Sequence, residues 1–119
     1  MDNRRIWIDD WRNPQSFLKN EAEGVLWLKQ IKPALDYVDK HAEEIEVLYL
    51  DHWMDDDYLN GFDFVSNILD DGREKYKNLK NIYFHSGDDK VIEEVMFYED
   101  MLKEIGVVLL IAPYRVSEK

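Results

Sequence analysis

Val47-Leu48-Tyr49-Leu50-Asp51-His52 is the stretch on which the reading of this chain turns. Four consecutive apolar residues fit a strand covered on both faces, as in a parallel sheet, and the run stops at a carboxylate. The same pattern recurs on either side. Upstream, Ile6-Trp7-Ile8 ends at Asp9-Asp10, and Val25-Leu26-Trp27-Leu28 is a second short strand following Gly24. Downstream, Ile82-Tyr83-Phe84 ends at His85-Ser86, and Val107 to Ile111 ends at Ala112-Pro113.

Between these runs the apolar period changes. Ile31, Ala34, Leu35, Val38 and Ala42 mark one face of a helix, with Pro33 in its first turn. Phe62, Val65, Ile68 and Leu69 form a second stripe, expected to end near Gly72. Val91, Val95, Tyr98, Leu102 and Ile105 predict one continuous amphipathic helix closed by Gly106. The polar segment Trp11 to Glu23 contains Asn13-Pro14 and predicts a loop with at most a short helix. Arg73, Lys75, Lys77 and Lys80 form a basic island read as a surface connection. Strands alternating with helices predict right-handed crossovers and a parallel sheet with helices on both faces. The expected fold is α/β: a single flavodoxin-like, three-layer domain over residues 1–119, its five-stranded parallel sheet in the order 2-1-3-4-5.

Composition narrows the function. Hydrophobic residues make up 45% of the chain and aromatic residues 13%, enough for a packed core. The absence of cysteine excludes a disulfide scaffold, a zinc–thiolate site and a cysteine nucleophile, and fits a cytoplasmic protein. Met1-Asp2-Asn3-Arg4-Arg5, followed by three apolar residues, reads as neither signal peptide nor membrane span. A net charge of −11 argues against direct binding to duplex DNA, where phosphate contacts need Lys and Arg. That charge is compatible with a metal site, a basic protein partner or simple solubility.

In an open parallel sheet, ligands bind beyond the carboxyl ends of the strands. Those ends carry Asp9 and Asp10, then Asp51 and His52, then His85 and Ser86, then Pro113, Tyr114 and Arg115. Three aspartates so placed repel one another unless one is protonated or a cation is bound, and oxygen-only ligands suit Mg²⁺. Asp9, Asp10 and Asp51 are therefore the candidate metal ligands. His52 and His85 are candidate proton-transfer groups, Ser86 a hydroxyl donor to a phosphoryl oxygen, and Arg12 and Arg115 candidate phosphate ligands. The remaining acidic residues have blander readings: Asp55, Asp56 and Asp57 as a solvated loop, with an outer-shell metal role as the alternative, and Asp88 and Asp89 as a helix start. His41 reads as plain surface; Trp11, Trp53 and Tyr114 around the rim either stack on a base or ring of a ligand or simply pack, with packing the preferred reading. No glycine-rich phosphate loop, GxSxG elbow or HExxH pair is present.

Two acids after the first strand, one after the third and a hydroxyl after the fourth form the pattern of a receiver domain. The chain resembles more closely the cyclic-phosphate processing receiver-like family. The residues that carry the resemblance are Asp9-Asp10-Trp11-Arg12-Asn13-Pro14, Leu50-Asp51-His52, Gly61-Phe62-Asp63 and His85-Ser86. The resemblance implies a receiver-type fold and a Mg²⁺-dependent acidic pocket that handles cyclic or terminal phosphates, on a small phosphorylated ligand or an RNA end. It implies Asp9 and Asp10 as metal holders, and Asp51 as ligand or phosphoacceptor. His52 and His85 would be acid–base groups and Ser86 a phosphate-sensing hydroxyl. Two positions depart from the pattern: Trp53 stands where the family often has another aspartate, and Ala112 where phosphorelay receivers carry a lysine. Three functions fit these residues: a metal-dependent phosphoesterase, a receiver-type signalling module without turnover, and an acidic nucleic-acid mimic that binds a basic protein.

Overall fold

The computed structural model describes residues 3–111. Its strands are β1 (Arg5–Ile8), β2 (Leu26–Leu28), β3 (Val47–Asp51), β4 (Asn81–His85) and β5 (Val108–Ile111). Its helices are α1 (Pro14–Leu18), α2 (Ile31–Lys40), α3 (Gly61–Lys75), α4 (Asp89–Met96) and α5 (Glu99–Glu104), with a 3₁₀ turn at Lys19–Ala22. The five strands are all parallel and lie in the order β2-β1-β3-β4-β5, as the alternation predicts. The fold is the receiver-like, flavodoxin-type α/β sheet. No helix among the described residues is long and apolar enough to cross a membrane.

The two faces of the sheet differ because side chains alternate along a strand. Ile6, Ile8, Leu48, Leu50, Ile82, Phe84 and Leu109 point to one face and are almost wholly buried. They join one apolar core with Ile31, Ala34 and Val38 of α2, Phe64, Val65 and Ile68 of α3, Val91 and Val95 of α4, and Leu102 of α5. The opposite face carries an aromatic ladder across three strands. Trp7 and Tyr49 lie with centroids 5.2 Å apart, and Tyr49 stacks on Tyr83 at 5.1 Å. Phe17 of α1 stacks on Trp7 at 6.0 Å, so the short first helix covers the β1 side of this face.

Caps set the helix starts. Asn13 accepts a bond from Gln15 N and is followed by Pro14, which suits the first helical position of α1. Asn60 and Asp63 form a reciprocal capping box at α3, and Asp88 accepts from Lys90 N at α4. Helix α2 is capped from a distance, because Asp55 Oδ1 accepts a bond from Ile31 N at 2.9 Å.

Four expectations need correction. The helix expected over Val91–Ile105 is two helices, α4 and α5, broken at Phe97–Tyr98. There Phe97 N and Tyr98 N bond three residues back, to Glu94 O and Val95 O, and Glu99 and Asp100 open a fresh first turn. Regular helix in α3 does break at Gly72 (φ 73°), but one further turn runs to Lys75. Arg73 is not a bystander on a surface connection. Its Nε donates to Ile105 O at 2.6 Å and its Nη1 to the carbonyls of Tyr76, Lys77 and Leu79, tying the end of α3 to the end of α5. His41 likewise is half-buried, packed on Tyr37 and bonded through Nδ1 to Glu44 and Asn3.

Candidate metal centre

Strand register brings the acidic residues together. Ile8 of β1 lies opposite Leu50 of β3, so Asp9 and Asp51 follow as the next step on neighbouring strands. Asp51 is paired in turn with His85 of β4. Alternation places Asp51 and His85 on the aromatic-ladder face, together with Asp9. Carboxylate oxygens of Asp9, Asp10 and Asp51 all lie within 4.8 Å of one another. A concavity of about 10 Å³, lined by Asp9, Asp51 and His85 over Trp7, Tyr49 and Tyr83, sits beside them. That volume holds a single water or small ion.

Two tryptophans hold the loop that carries the first two acids. Trp27 Nε1 donates to Asp9 O at 2.7 Å, and Trp7 Nε1 to Arg12 O at 2.8 Å. Asp9 Oδ1 accepts from Trp11 N and Arg12 N, at 3.1 and 3.0 Å, closing a tight turn. These positioning roles were not assigned from sequence, where Trp7 and Trp27 read only as apolar strand residues. The sole signal was an indole in each strand flanking the acidic turn, since a buried indole N–H seeks an acceptor.

Electrostatics in the pocket are strongly coupled. Asp51 is only 6% exposed. Burial pushes its carboxyl up to about 8, with the Asp9 charge adding to the effect and the Arg12 guanidinium opposing it. Asp10 is also raised, chiefly by burial and then by Asp9, with a smaller push from Asp55. Arg12 Nη1 lies 3.3 Å from Asp9 Oδ2 and 3.6 Å from Asp51 Oδ1, and so balances part of the charge. Three clustered carboxylates, one of them held protonated near neutral pH, form a donor set that fits a hard divalent cation such as Mg²⁺.

The other candidates are distributed unevenly. His85 is buried and lines the concavity. His52 is 1% exposed but turns to the opposite face, edge-on to Phe62 at 4.5 Å and packed near Phe84. Burial lowers its pKa, which keeps the ring neutral, and its Nδ1 has no hydrogen-bond partner among the described residues. Its backbone is structural, accepting from Gly61 N at 3.0 Å and donating to His85 O at 3.2 Å. Ser86 is buried, and its hydroxyl oxygen accepts from Asp88 N at 3.1 Å at the start of α4. Arg115 and Tyr114 lie outside the described residues. Asp55 and Asp56 do more than solvate a loop: the first caps α2, and the second accepts bonds from Tyr58 N and Leu59 N. Trp11 and Trp53, expected to pack, are 59% and 56% exposed on this rim.

No curated protein matches the chain. A family model described as the cyclic-phosphate processing receiver domain matches residues 4–98, a span from β1 past the end of α4 that contains the whole acidic pocket. With the parallel 2-1-3-4-5 sheet and the carboxylates at its rim, that match makes the chain a member of the cyclic-phosphate processing receiver domain family.

Proposed function

We propose that the pocket binds Mg²⁺ through Asp9, Asp10 and Asp51 and opens cyclic phosphate esters of nucleotides by hydrolysis. The observation that carries this reading is the buried Asp51, pushed up to about 8 beside Asp9 and Asp10. Such an arrangement is unfavourable when ionised and empty of cations, and becomes favourable when a divalent charge is supplied. Bound there, Mg²⁺ would polarise a phosphoryl oxygen of the substrate.

The chain's own residues divide the remaining work. Arg12, which neutralises Asp9 and Asp51, is placed to turn its guanidinium to a phosphoryl oxygen once those carboxylates have another counter-charge. His85 is the proton carrier. Its imidazole takes a proton from water as the oxygen adds to phosphorus, and returns it to the ester oxygen that leaves the ring. One P–O bond forms, one ring P–O bond breaks, and the product is a phosphomonoester. Ser86 stands next to His85, and its hydroxyl hydrogen suits a phosphoryl oxygen. His52, on the far face, serves the fold.

A receiver-type signalling module without turnover would use the same carboxylates. The Asp51–His85 register favours hydrolysis, because it sets an imidazole beside the acidic cluster. The test is incubation with 2′,3′-cyclic AMP and Mg²⁺, following the monoester by ³¹P NMR. Turnover is expected to fall about a hundredfold or more in Asp51→Asn and in His85→Ala, with both variants folded. Absence of turnover in the wild type at every Mg²⁺ concentration refutes the reading.

A further inference from the structure

We propose that Trp11 and Trp53 form an aromatic clamp over the acidic pocket, which selects a cyclic phosphate borne by a single nucleotide over one at the end of an RNA strand. The inference rests on the proposed phosphate pocket and names the ligand that this pocket prefers.

The argument begins with position. Each indole stands two residues beyond a clustered carboxylate, Trp11 after Asp9 and Trp53 after Asp51. Strands β1 and β3 are neighbours, but the chain leaves them in opposite directions. From β1 it runs to α1, whose Phe17 packs on the aromatic-ladder face; from β3 it runs to α3, whose Phe64 and Val65 join the core on the other face. Diverging loops at such a switch point form the two walls of a crevice. Each of these loops carries an indole, and the clustered carboxylates lie at the strand ends from which the loops diverge.

Exposure and order separate these indoles from the other two tryptophans. Trp7 is buried, and Trp7 and Trp27 each give their N–H to a backbone carbonyl. Trp11 and Trp53 keep more than half of their surface open. Neither dangles. The Arg12 guanidinium lies 4.5 Å from the Trp11 ring centroid, and His52 meets Trp53 edge-on at 4.4 Å. Rings held in place on one side and open on another lose little freedom when a flat ligand stacks on them.

Charge then restricts the ligand. The chain carries −11, and the loop that presents Trp53 continues with Asp55, Asp56 and Asp57. Asp55 is near enough for its charge to raise the pKa of Asp10. An RNA backbone brings one negative charge per nucleotide into that field, which weakens its binding. A mononucleoside cyclic phosphate brings a single negative charge and one base. Stacking, which is insensitive to salt and tolerant of base identity, provides the affinity that electrostatics withholds.

The experiment measures binding by indole fluorescence and calorimetry, with Mg²⁺, for three probes. They are 2′,3′-cyclic AMP, glycerol 1,2-cyclic phosphate, which has the ring and no base, and an eight-residue RNA ending in a 2′,3′-cyclic phosphate. The nucleotide is expected to bind about tenfold or more tighter than the base-free ring. In Trp11→Leu and Trp53→Leu that advantage collapses. The RNA is expected to bind more weakly than the nucleotide, with the gap widening as salt is lowered. Equal affinity of wild type and both variants for the nucleotide overturns the clamp, as does tighter binding of the RNA or no binding of the nucleotide. Loss of Mg²⁺ dependence alone, with the indole-dependent preference intact, contradicts only the pocket reading.

Discussion

Asp51→Asn should stabilise the metal-free protein at neutral pH while abolishing its response to Mg²⁺. The folded-state pKa of Asp51 lies near 8, above the ordinary carboxylate value of 3.8. A group shifted upward contributes stability that is complete below the unfolded pKa, and loses it as pH rises through the folded one. For Asp51 that window runs from 3.8 to about 8. One pKa unit is worth about 1.4 kcal/mol, so the cost at pH 7 has an upper bound of about 4 kcal/mol. Loss of the 3.6 Å contact between Asp51 and Arg12 offsets part of the gain from an amide, leaving about 1–3 kcal/mol. For a chain of this length that corresponds to about 4–12 °C in Tm. Thermal unfolding in EDTA from pH 5 to 9 measures it. The wild type should lose stability across the window and the variant should be flatter and more stable at pH 7.5. Added Mg²⁺ should raise the wild-type Tm, more so at higher pH, and leave the variant where it was. An Asp51→Asn protein less stable than wild type in EDTA, with the same pH slope, refutes the reasoning.

Further outcomes follow from neighbouring residues. Gly106→Ala places a methyl group at φ 83° and 2.7 Å from Arg73 Nη2. It should cost about 2–4 kcal/mol in urea unfolding, where a cost under about 0.5 kcal/mol would show the Arg73 tie to be dispensable. Gly61→Ala puts its Cβ 2.8 Å from the Phe84 ring and 3.2 Å from Asp51 O. A loss of about 1–3 kcal/mol is expected, with weaker Mg²⁺ binding because the end of β3 must shift; unchanged affinity would detach Gly61 from the site. His52→Leu removes a buried ring whose Nδ1 has no hydrogen-bond partner among the described residues. It should change stability by about 1 kcal/mol or less and leave turnover within a few fold, whereas a hundredfold loss would return His52 to the chemistry. Asn60→Ala removes the capping box of α3 and should cost about 1 kcal/mol in the same unfolding assay.

Much of this was legible in the chain. The runs at Val47–Leu50 and Ile82–Phe84 are continuous because both faces of a central strand are covered, and each ends in polar residues that stay buried at the carboxyl rim of the sheet. The acidic cluster was legible for the same reason, since strand ends in a parallel sheet share one rim. The side taken by His52 was less plain. Alternation from Tyr49 sends Asp51 to the ladder face and His52 to the helical core, so the rim of a sheet has two faces and shared membership does not bring side chains together. The break at Phe97–Tyr98 was hidden because Val95, Tyr98 and Leu102 keep their spacing across it, and Val95 and Leu102 stay buried. Arg73 joins carbonyls up to 32 residues away, and the distant cap from Asp55 to α2 spans 24. Contacts of that range depend on the finished fold and leave no local pattern.

The central claim is that Asp9, Asp10 and Asp51 hold a divalent cation, and calorimetric titration of the protein with Mg²⁺ tests it most directly. The wild type should bind one ion per chain at pH 7.5 and release close to one proton, since Asp51 titrates near 8. Asp9→Asn/Asp10→Asn should show no binding at the same concentrations while keeping its fold. Identical isotherms for the wild type and the double variant would contradict the account.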